Sequence, residues 1–373
     1  MNESGIYLDY NASTPLAPEV VKAIHPFLTE QFGNPSSHHW AGAPARAAVE
    51  GARAQVAALL GCEPDEVVFT SGGSESNNQA LKGVFFANRQ RGEHVVTSAI
   101  EHPAVLEPLR FLETLGAKVT VVGVDRDGRI DPEDVRKALT PRTILVSVMH
   151  ANNEVGTVEP ISEIAKIAHH AGVLMHTDAA QSVGKIAARV NDLGVDLLSV
   201  AGHKLYAPKG VGALYVRRGT PLEPLVHGAG HKQGRRAGTE NVLFDVALGA
   251  ACELAAQWVG MTAVRELRDR FERQLREQFG GRITVNGGAA ERLPNTSSVN
   301  FVGRVGAEVL AGLTGVAAST GSACHAGSVE LSPVLAAMGT PPREGMGAVR
   351  FSLGRTTAWG ELERVLSMLR QLR

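Results

Sequence analysis

The sequence predicts an α/β protein built on a mostly parallel seven-stranded sheet with helices on both faces. Short apolar runs alternate with helical segments between Val20 and Ala255, a rhythm typical of parallel strands joined by helices. Hydrophobic residues make up 44% and charged residues 20% of the 373 residues, as in ordinary globular proteins. No repeat or low-complexity tract interrupts this pattern, so a large core is expected.

Seven apolar runs are predicted as the strands of this sheet: EVVFT (66–70), HVVTS (94–98), KVTVVGV (118–124), TILVSVM (143–149), VLMHTD (173–178), LLSV (197–200) and GALYV (212–216). Helices are predicted over PARAAVEGARAQVAALLG and PISEIAKIAHHAG, the second closed by a glycine. After a helical stretch through Gln278 the pattern changes to scattered strands and a final helix. We therefore expect a large domain over residues 15–255 and a smaller α+β domain over residues 256–373, which residues 1–14 join.

Charge and hydropathy exclude several function classes. Lys and Arg total 37 and Asp and Glu total 38, so the formal net charge is -1 and no general attraction to nucleic acid or an anionic membrane is expected. No apolar stretch reaches the roughly 18 residues that a membrane span needs, and MNESGIYLDYNAS has neither a basic start nor an apolar run. A small-molecule substrate and a cytoplasmic location are expected.

Three cysteines occur without CxxC spacing, which argues against a disulfide framework and against a structural zinc site. Cys252 lies in an apolar helical pattern and is predicted to be a core residue, and Cys62 follows LLG at a predicted helix end. Cys324 lies in STGSACHAG, among small residues that favour an exposed loop. Its setting suggests a reactive thiol, although an incidental surface cysteine is the alternative.

Open parallel sheets bind ligands beyond the carboxyl ends of their strands, and the residues at those positions are polar here. SGGSESNNQALKG follows the first strand as a Gly-Gly turn and a helix predicted to begin near Glu75. Such a turn aims N–H groups at an anion, although it lacks the GK[ST] ending of a P-loop and could be a simple connection. Asp178 and Gln181 follow a later strand, where a solvated cap is the alternative.

A lysine also follows a strand, in VAGHKLYAPKG. Desolvation should lower the pKa of Lys204, which suits covalent attachment to a carbonyl group, whereas a surface lysine with a buried stem is the alternative. A phosphate-binding turn, an acid and a lysine together are the parts of a pyridoxal phosphate site. In such a site the lysine holds the cofactor and the acid pairs with the pyridine nitrogen.

The chain resembles the cysteine desulfurases, which are fold-type I pyridoxal phosphate enzymes of the class V aminotransferase group. The resemblance runs almost end to end, through YLDYNASTP, FGNPSSHHWAG, VVFTSGGSESNN, TSAIEHPAVL, SVMHANNEVGTV, HTDAAQSVGK, GHKLYAPKGVGALYVRR, RRAGTEN, STGSAC and VRFSLGR. With its GSAC motif, the chain most resembles the branch of this family that has a long cysteine-bearing loop. The resemblance implies that L-cysteine is converted to L-alanine and that the sulfur passes to Cys324 as a persulfide.

The family's site residues carry over by position. Lys204 would hold the cofactor and move the substrate Cα proton, Asp178 would pair with the pyridine nitrogen, and Gln181 would pair with the phenolic oxygen. His102 would stack on the ring and assist proton transfer. The phosphate would be bound by Gly73, Ser74, His203 and Thr239, the last from a partner subunit in a homodimer. Asn153, beside the cofactor, would hold the substrate carboxylate together with Arg350.

Some assignments have rivals in the sequence. His102 precedes a proline and could merely cap a helix, and Asn152 competes with Asn153 for the ligand role. Arg350 could be one of the many surface arginines, as could Arg355 close to it. The family normally has a serine three residues before the lysine, where this chain has Ala201. Losing one neutral hydrogen bond should lower cofactor affinity about tenfold without abolishing activity.

Other functions stay open at this point. A selenocysteine lyase or an aminotransferase shares the fold, and a degenerate sulfur-relay subunit has Ala201 as its support. A metal hydrolase on His102, His150 and His176 is disfavoured because their spacing forms no HExxH-type pair, and no metal is expected. The sulfur acceptor is expected to be a protein such as an iron–sulfur scaffold.

Overall fold

The fold is described from a computed structural model for residues 5–230, 234–320 and 330–371. The strands in these ranges are β1 (Ile6–Tyr7), β2 (Val67–Thr70), β3 (His94–Ser98), β4 (Lys118–Val122), β5 (Thr143–Ser147), β6 (Leu174–Asp178), β7 (Leu197–Ala201), β8 (Gly212–Val216), β9 (Ile283–Val285), β10 (Thr296–Phe301), β11 (Val316–Ala317) and β12 (Ala348–Ser352).

The helices in the same ranges are α1 (Pro18–Thr29), α2 (Gly42–Leu60), α3 (Gly73–Asn88), α4 (Pro103–Glu113), α5 (Pro132–Ala138), α6 (Ile161–His170), α7 (Val190–Leu193), α8 (Val242–Ala255), α9 (Thr262–Phe279), α10 (Gly306–Ala311), α11 (Pro333–Ala337), α12 (Pro342–Gly345) and α13 (Trp359–Gln371). Gly61, at φ +70°, ends α2, and Gly172, at φ +67°, follows α6. The glycine after α6 is the helix end expected from the sequence, and Gly61 closes α2 in the same way.

The large sheet has the strand order β2-β8-β7-β6-β5-β3-β4. Its pairs are parallel except those of β8, which runs antiparallel to β2 and β7. Alternate residues face different cores: Phe69 belongs to the apolar cluster that includes residues of α2, α6 and α8, whereas Val68 belongs to the cluster that includes residues of α3 and α4. The predicted mostly parallel sheet of seven strands with helices on both faces is confirmed.

A second sheet follows in the chain. β12, β10 and β9 pair antiparallel in that order, and β1 pairs with β11 in a separate parallel ribbon. One apolar cluster joins this sheet to α9 and α13 and includes Ile6 and Leu8 from the N-terminal segment. Asn11 follows in this segment and joins the two sheets, since its side chain donates to Thr296 of β10 and its carbonyl accepts from Lys204 after β7.

Element ends differ slightly from the expectations. α3 begins at Gly73, two residues before Glu75, because the Glu75 carboxylate accepts the Ser71 N–H at 2.7 Å and closes the turn from inside the helix. β4 and β5 end two residues early, at Val122 and Ser147. Within the described ranges, no helix combines the length and the apolar character that crossing a bilayer requires.

Candidate active site

The carboxyl ends of β2, β5, β6 and β7 border one cavity of about 570 Å³. Parallel strands deliver their following loops to the same sheet edge, which is why residues far apart in the chain meet there. Nine of the residues predicted from the sequence line the cavity: Gly73, Ser74, His102, Asn153, Asp178, Gln181, His203, Lys204 and Arg350.

Lys204 ends a short 3-10 turn, Gly202–Lys204, directly after β7. Its Nζ donates hydrogen bonds to the backbone carbonyls of Asn11 at 2.5 Å and Ala12 at 2.7 Å. Burial and, to a smaller extent, the charge of Arg350 lower the pKa of Lys204 to about 8, against the opposing effect of Asp9 and Asp178. The depressed pKa expected from the sequence is therefore present, and the unprotonated amine is accessible near neutral pH.

Asp178 ends β6, and both of its carboxylate oxygens have donors. Oδ1 accepts the Ala180 N–H at 2.9 Å, and Oδ2 accepts the Asn77 side-chain N–H at 2.6 Å. Asn77 lies on α3 and is fully buried. The two bonds fix the plane of the carboxylate at the cavity wall, so Asp178 is not a solvated cap.

The glycine turn after β2 has the backbone geometry of an anion cradle. Gly72 has φ +145°, a conformation that other residues rarely adopt. A Cβ at Gly73 would lie 3.3 Å from the Ala201 side chain, which leaves little room for anything larger than glycine. The first N–H groups of α3 have no acceptor within the helix, and this 16-residue helix directs its positive end at the cavity.

Glu75 lies in the first turn of the same helix, where it could repel an anion. Burial alone would raise the pKa of Glu75, but hydrogen bonds from Arg236 and from Ser71 hold it below its ordinary value. The Arg236 Nε contacts the carboxylate at 2.8 Å and balances its charge. The helix end therefore keeps a favourable field for a phosphate.

Two histidines line the cavity and both favour the neutral form. His102 caps α4, since its Nδ1 accepts the Ala104 N–H at 3.0 Å, so the cap and the cavity position coexist. Burial lowers the pKa of His102, and Lys204 lowers it further while Asp178 opposes this. Burial, with Lys204 and Lys209 adding to it, lowers the pKa of His203 to about 4. Neutral imidazoles can donate one hydrogen bond and accept another.

The structure separates Asn153 from its rival. The Asn152 side chain is buried in its own loop, where its oxygen accepts the N–H groups of Glu154 and Val155 and its nitrogen donates to the Ile100 carbonyl. Asn153 lines the cavity instead. The Asn152 side chain therefore stabilises its own turn, which is the alternative that the sequence offered for this pair.

Arg350 lies on β12 and is buried, as its apolar surroundings in VRFSL predict. One terminal nitrogen donates to the Asn153 carbonyl at 3.0 Å and the other to the Asp9 carboxylate at 2.8 Å. Its Nε is buried and has no partner among the described residues. Arg355 is instead packed over the Tyr206 and Trp258 rings, outside the cavity lining.

Sequence reasoning missed a buried network behind the cavity. Asn11 is 1% exposed and Lys185 is 5% exposed, and the Lys185 Nζ donates to the Gln181 oxygen at 2.9 Å and to the Asn11 side-chain oxygen at 3.1 Å. The Gln181 nitrogen donates to the Asn11 carbonyl at 2.9 Å. The available signal was the four-residue spacing of Gln181 and Lys185 in QSVGK.

Two predicted residues are not among the described residues that line this cavity. Thr239 is exposed and does not line the cavity in this chain, and Cys324 lies outside the described residues. The two described cysteines have environments that disfavour a thiolate: burial raises the pKa of Cys62 and of Cys252 to about 12. Cys252 is fully buried in α8, as predicted.

The chain is similar to known proteins over almost its whole length. The family model described as "Aminotransferase class-V" matches residues 6–365. A cysteine desulfurase IscS of Dictyoglomus turgidum is 48% identical over 371 residues, which cover 98% of this chain and 94% of that protein. A solved "NIFS-LIKE PROTEIN" is 36% identical, covers 99% of both chains and superposes with a TM-score of 0.92. The structure titled "SspA in complex with cysteine" is 39% identical, covers 93% of this chain and 98% of that one, and gives a TM-score of 0.83.

Proposed function

The chain belongs to the aminotransferase class-V family and, within it, to the cysteine desulfurases, and we propose how its own residues carry out that activity. It converts L-cysteine to L-alanine and passes the sulfur on for iron–sulfur cluster assembly or other thiolation pathways. The observation that carries the proposal is the single cavity where a lysine, an aspartate, a glycine turn and an arginine meet.

Pyridoxal phosphate fits this donor set. The fixed Asp178 carboxylate suits a pyridine N–H, the α3 end suits a phosphate, and Lys204 has an amine whose pKa is about 8. When bound, this cofactor supplies an electron-withdrawing ring that weakens bonds at the substrate Cα and Cβ. The residues that would hold it are Lys204, Asp178, Gln181, His102, Gly73, Ser74, His203 and Asn153.

Lys204 would attach the cofactor and, once the substrate amine has displaced it, would take the proton from the substrate Cα. The carbonyls of Asn11 and Ala12 lie within 2.5–2.7 Å of Nζ and would hold the freed amine in the site. Its lowered pKa keeps enough of the amine unprotonated to act as a base. Neutral His102 would cover the cofactor ring and assist the proton transfer.

Arg350 and Asn153 would bind the substrate carboxylate. The guanidinium is held from two sides by Asp9 and by the Asn153 carbonyl, which fixes its plane. Its buried, unpartnered Nε is a donor without an acceptor among the described residues, a state that costs free energy unless a ligand supplies the acceptor. A carboxylate is the natural partner of such a donor.

Cys324 would receive the sulfur. Its thiolate attacks the substrate sulfur, the new S–S bond forms as the Cβ–S bond breaks, and the carbon keeps the electron pair and takes a proton to become the alanine methyl group. The products are L-alanine and one persulfide, so no outside oxidant is needed. Cys62 and Cys252, with pKa values of about 12, are poor candidates.

Further parts of the proposal rest on the family likeness. We propose a homodimer in which Thr239 reaches the phosphate of the partner subunit, a cytoplasmic location, and a sulfur-acceptor protein such as an iron–sulfur scaffold. We also propose a large domain over residues 15–255 and a smaller domain over residues 256–373, which residues 1–14 join. Two separate apolar clusters, one mainly within each range, support this division.

The test is alanine formation from L-cysteine by the purified protein with pyridoxal phosphate, compared among three variants. Cys324→Ala should abolish turnover, whereas Cys62→Ala and Cys252→Ala should retain it. Undiminished alanine formation by Cys324→Ala would contradict the role of Cys324 as the sulfur acceptor, and formation of the sulfur-containing 2-oxo acid of cysteine in place of alanine would favour an aminotransferase. A protein that stays colourless with added pyridoxal phosphate would favour a non-catalytic sulfur-relay subunit. Turnover of L-selenocysteine without turnover of L-cysteine would favour a selenocysteine lyase.

A further inference from the structure

Lys185 is a buried lysine that the reaction described above does not use. It is 5% exposed and follows β6 in the turn that also carries Gln181. Among the described residues it has no carboxylate within ion-pair distance; its Nζ contacts are the Gln181 oxygen at 2.9 Å and the Asn11 side-chain oxygen at 3.1 Å. A lysine enclosed without an opposite charge is costly, so its presence calls for a role.

Burial lowers the pKa of Lys185 well below its ordinary value, and the charges of Lys204 and Arg350 add to the shift. A neutral lysine amine has two N–H groups. The two oxygens of Gln181 and Asn11 therefore satisfy both donors of the uncharged form.

These contacts fix the Gln181 amide in one orientation. A backbone carbonyl only accepts, so the Gln181 atom facing the Asn11 carbonyl must be the nitrogen. The atom facing Lys185 is then the oxygen, which accepts an N–H of the lysine. The amide nitrogen has a second N–H group beyond the one given to Asn11. Gln181 lines the cavity, and its oxygen is already taken by Lys185.

Asn11 connects this arrangement to the front of the site. Its side-chain oxygen also accepts the Asn295 N–H at 2.9 Å, and its side-chain nitrogen donates to Thr296 at 2.8 Å. Its backbone carbonyl accepts from both Gln181 and Lys204. Asn11 cannot turn without breaking several buried hydrogen bonds, so it is a firm support for Lys185.

We propose that Lys185 is a positioning residue: by binding the Gln181 oxygen, it makes Gln181 present an N–H donor, rather than an acceptor, to the phenolic oxygen of the cofactor. This inference rests on the proposed function, because it requires pyridoxal phosphate in the cavity. Without Lys185, only the hydrogen bond to the Asn11 carbonyl still opposes the flipped amide, in which the Gln181 oxygen would lie against the phenolic oxygen and repel it.

The expected signature is spectroscopic. The proton on the lysine-bound nitrogen of the cofactor is shared with the phenolic oxygen, so an outside donor to that oxygen weakens the hold on the proton. The visible absorbance of the holoenzyme is titrated against pH for the unchanged protein, Lys185→Met, Gln181→Ala and the double variant. Lys185→Met should raise the titration midpoint by about one pH unit, the size of one hydrogen bond to a charged group. Asp178, Asp9, Arg350, His102 and His203 are unchanged in all four proteins.

The double variant separates positioning from a structural role. If Lys185 acts through Gln181, the double variant should titrate like Gln181→Ala alone. A midpoint for Lys185→Met equal to that of the unchanged protein, or a full Lys185 effect that persists in the Gln181→Ala background, would overturn the inference. The exposed Lys166→Met is the matched control and should not shift the midpoint.

Thermal unfolding of each holoenzyme accompanies the titration. Met is close to Lys in size. Lys185→Met leaves the Gln181 oxygen without its donor but removes the cost of burying an amine, so it should fold with a nearly unchanged Tm. Should Lys185→Met not fold, Lys185→Leu removes the same donor and takes its place. A chain that binds no pyridoxal phosphate before any substitution would overturn the proposed function together with this inference, whereas normal binding with unshifted variants would overturn the inference alone.

Discussion

The two lysines of the site region have opposite surroundings. Lys204 borders the open cavity, and its Nζ contacts two backbone carbonyls. Lys185 is enclosed behind that wall, and its Nζ contacts two side-chain oxygens. Both contact Asn11, one through the backbone carbonyl and the other through the side chain, and burial lowers the pKa of both.

The difference teaches that a lowered pKa does not by itself make a lysine a nucleophile. A nucleophile also needs space next to its nitrogen and contacts that it can leave at small cost. Lys204 has both, whereas Lys185 does not line that cavity, and moving its amine would take the donor away from the buried Gln181 oxygen. We therefore expect the first lysine to react and the second to orient.

Removing Lys204, the lysine that borders the cavity, should have the largest effect. Lys204→Ala should lower alanine formation from L-cysteine by about 10³-fold or more, because both the covalent attachment and the base at the substrate Cα are lost. The measurement is kcat/KM with saturating pyridoxal phosphate. Lys137→Ala, at an exposed helical site paired with Asp134, is the control and should keep full activity; near-normal turnover by Lys204→Ala would remove the basis of the comparison.

The second-largest effect is expected at Asp178, which borders the cavity. Asp178→Asn keeps the shape but removes the charge, and only one of its side-chain atoms can accept the bonds that Ala180 and Asn77 now donate. We expect kcat to fall by about 10²-fold, the size of a preorganised electrostatic contact, with a smaller change in KM. If Asn77→Ala and Asp178→Asn lowered kcat by the same factor and Tm by the same amount, the result would instead indicate a packing role for Asp178.

The pH dependence of lysine modification sharpens the contrast between the two amines. In the protein without cofactor, an amine-reactive reagent should label Lys204 with a rate that rises through pH 8, because its pKa is about 8 and the unprotonated amine reacts. Below that pH the amine is protonated and labelling slows. Lys185 should stay unlabelled throughout despite its lowered pKa, and Lys137, whose pKa is raised by Asp134, should react only at higher pH.

Arg350 provides the matched variant for that measurement. Arg350 lowers the pKa of Lys204, so Arg350→Met should move the labelling midpoint of Lys204 upward. Labelling is followed peptide by peptide with mass spectrometry. Equal labelling of Lys185 and Lys204 would show that enclosure does not distinguish them.

The smallest effect is expected at Ala201, which faces the glycine turn. Ala201→Ser restores a hydroxyl at the phosphate side of the cavity and should tighten cofactor binding by up to about tenfold, the equivalent of one neutral hydrogen bond. The dissociation constant is measured by absorbance titration of the cofactor-free protein. Weaker binding with an unchanged Tm would indicate that the position is too crowded for a hydroxyl.

The sequence predicted the residues that line the cavity better than the buried network behind it. Each predicted strand is present, and Asp178 and Lys204 lie at the strand ends where ligands bind, because parallel topology follows from local apolar patterns. Lys185 and Asn11 are 174 residues apart, and only the packed fold shows that their side chains meet. Local patterns likewise could not decide between Asn152 and Asn153, since both occupy the same turn.

Trapping the cofactor on its lysine tests the contrast most directly. The holoenzyme is treated with borohydride, which reduces the carbon–nitrogen bond between pyridoxal phosphate and its lysine to a stable one, and the digested peptides are analysed by mass spectrometry. The account predicts the added pyridoxyl phosphate mass on the peptide with Lys204 and none on the peptide with Lys185. The added mass on Lys185, or on neither lysine in a coloured protein, would contradict it.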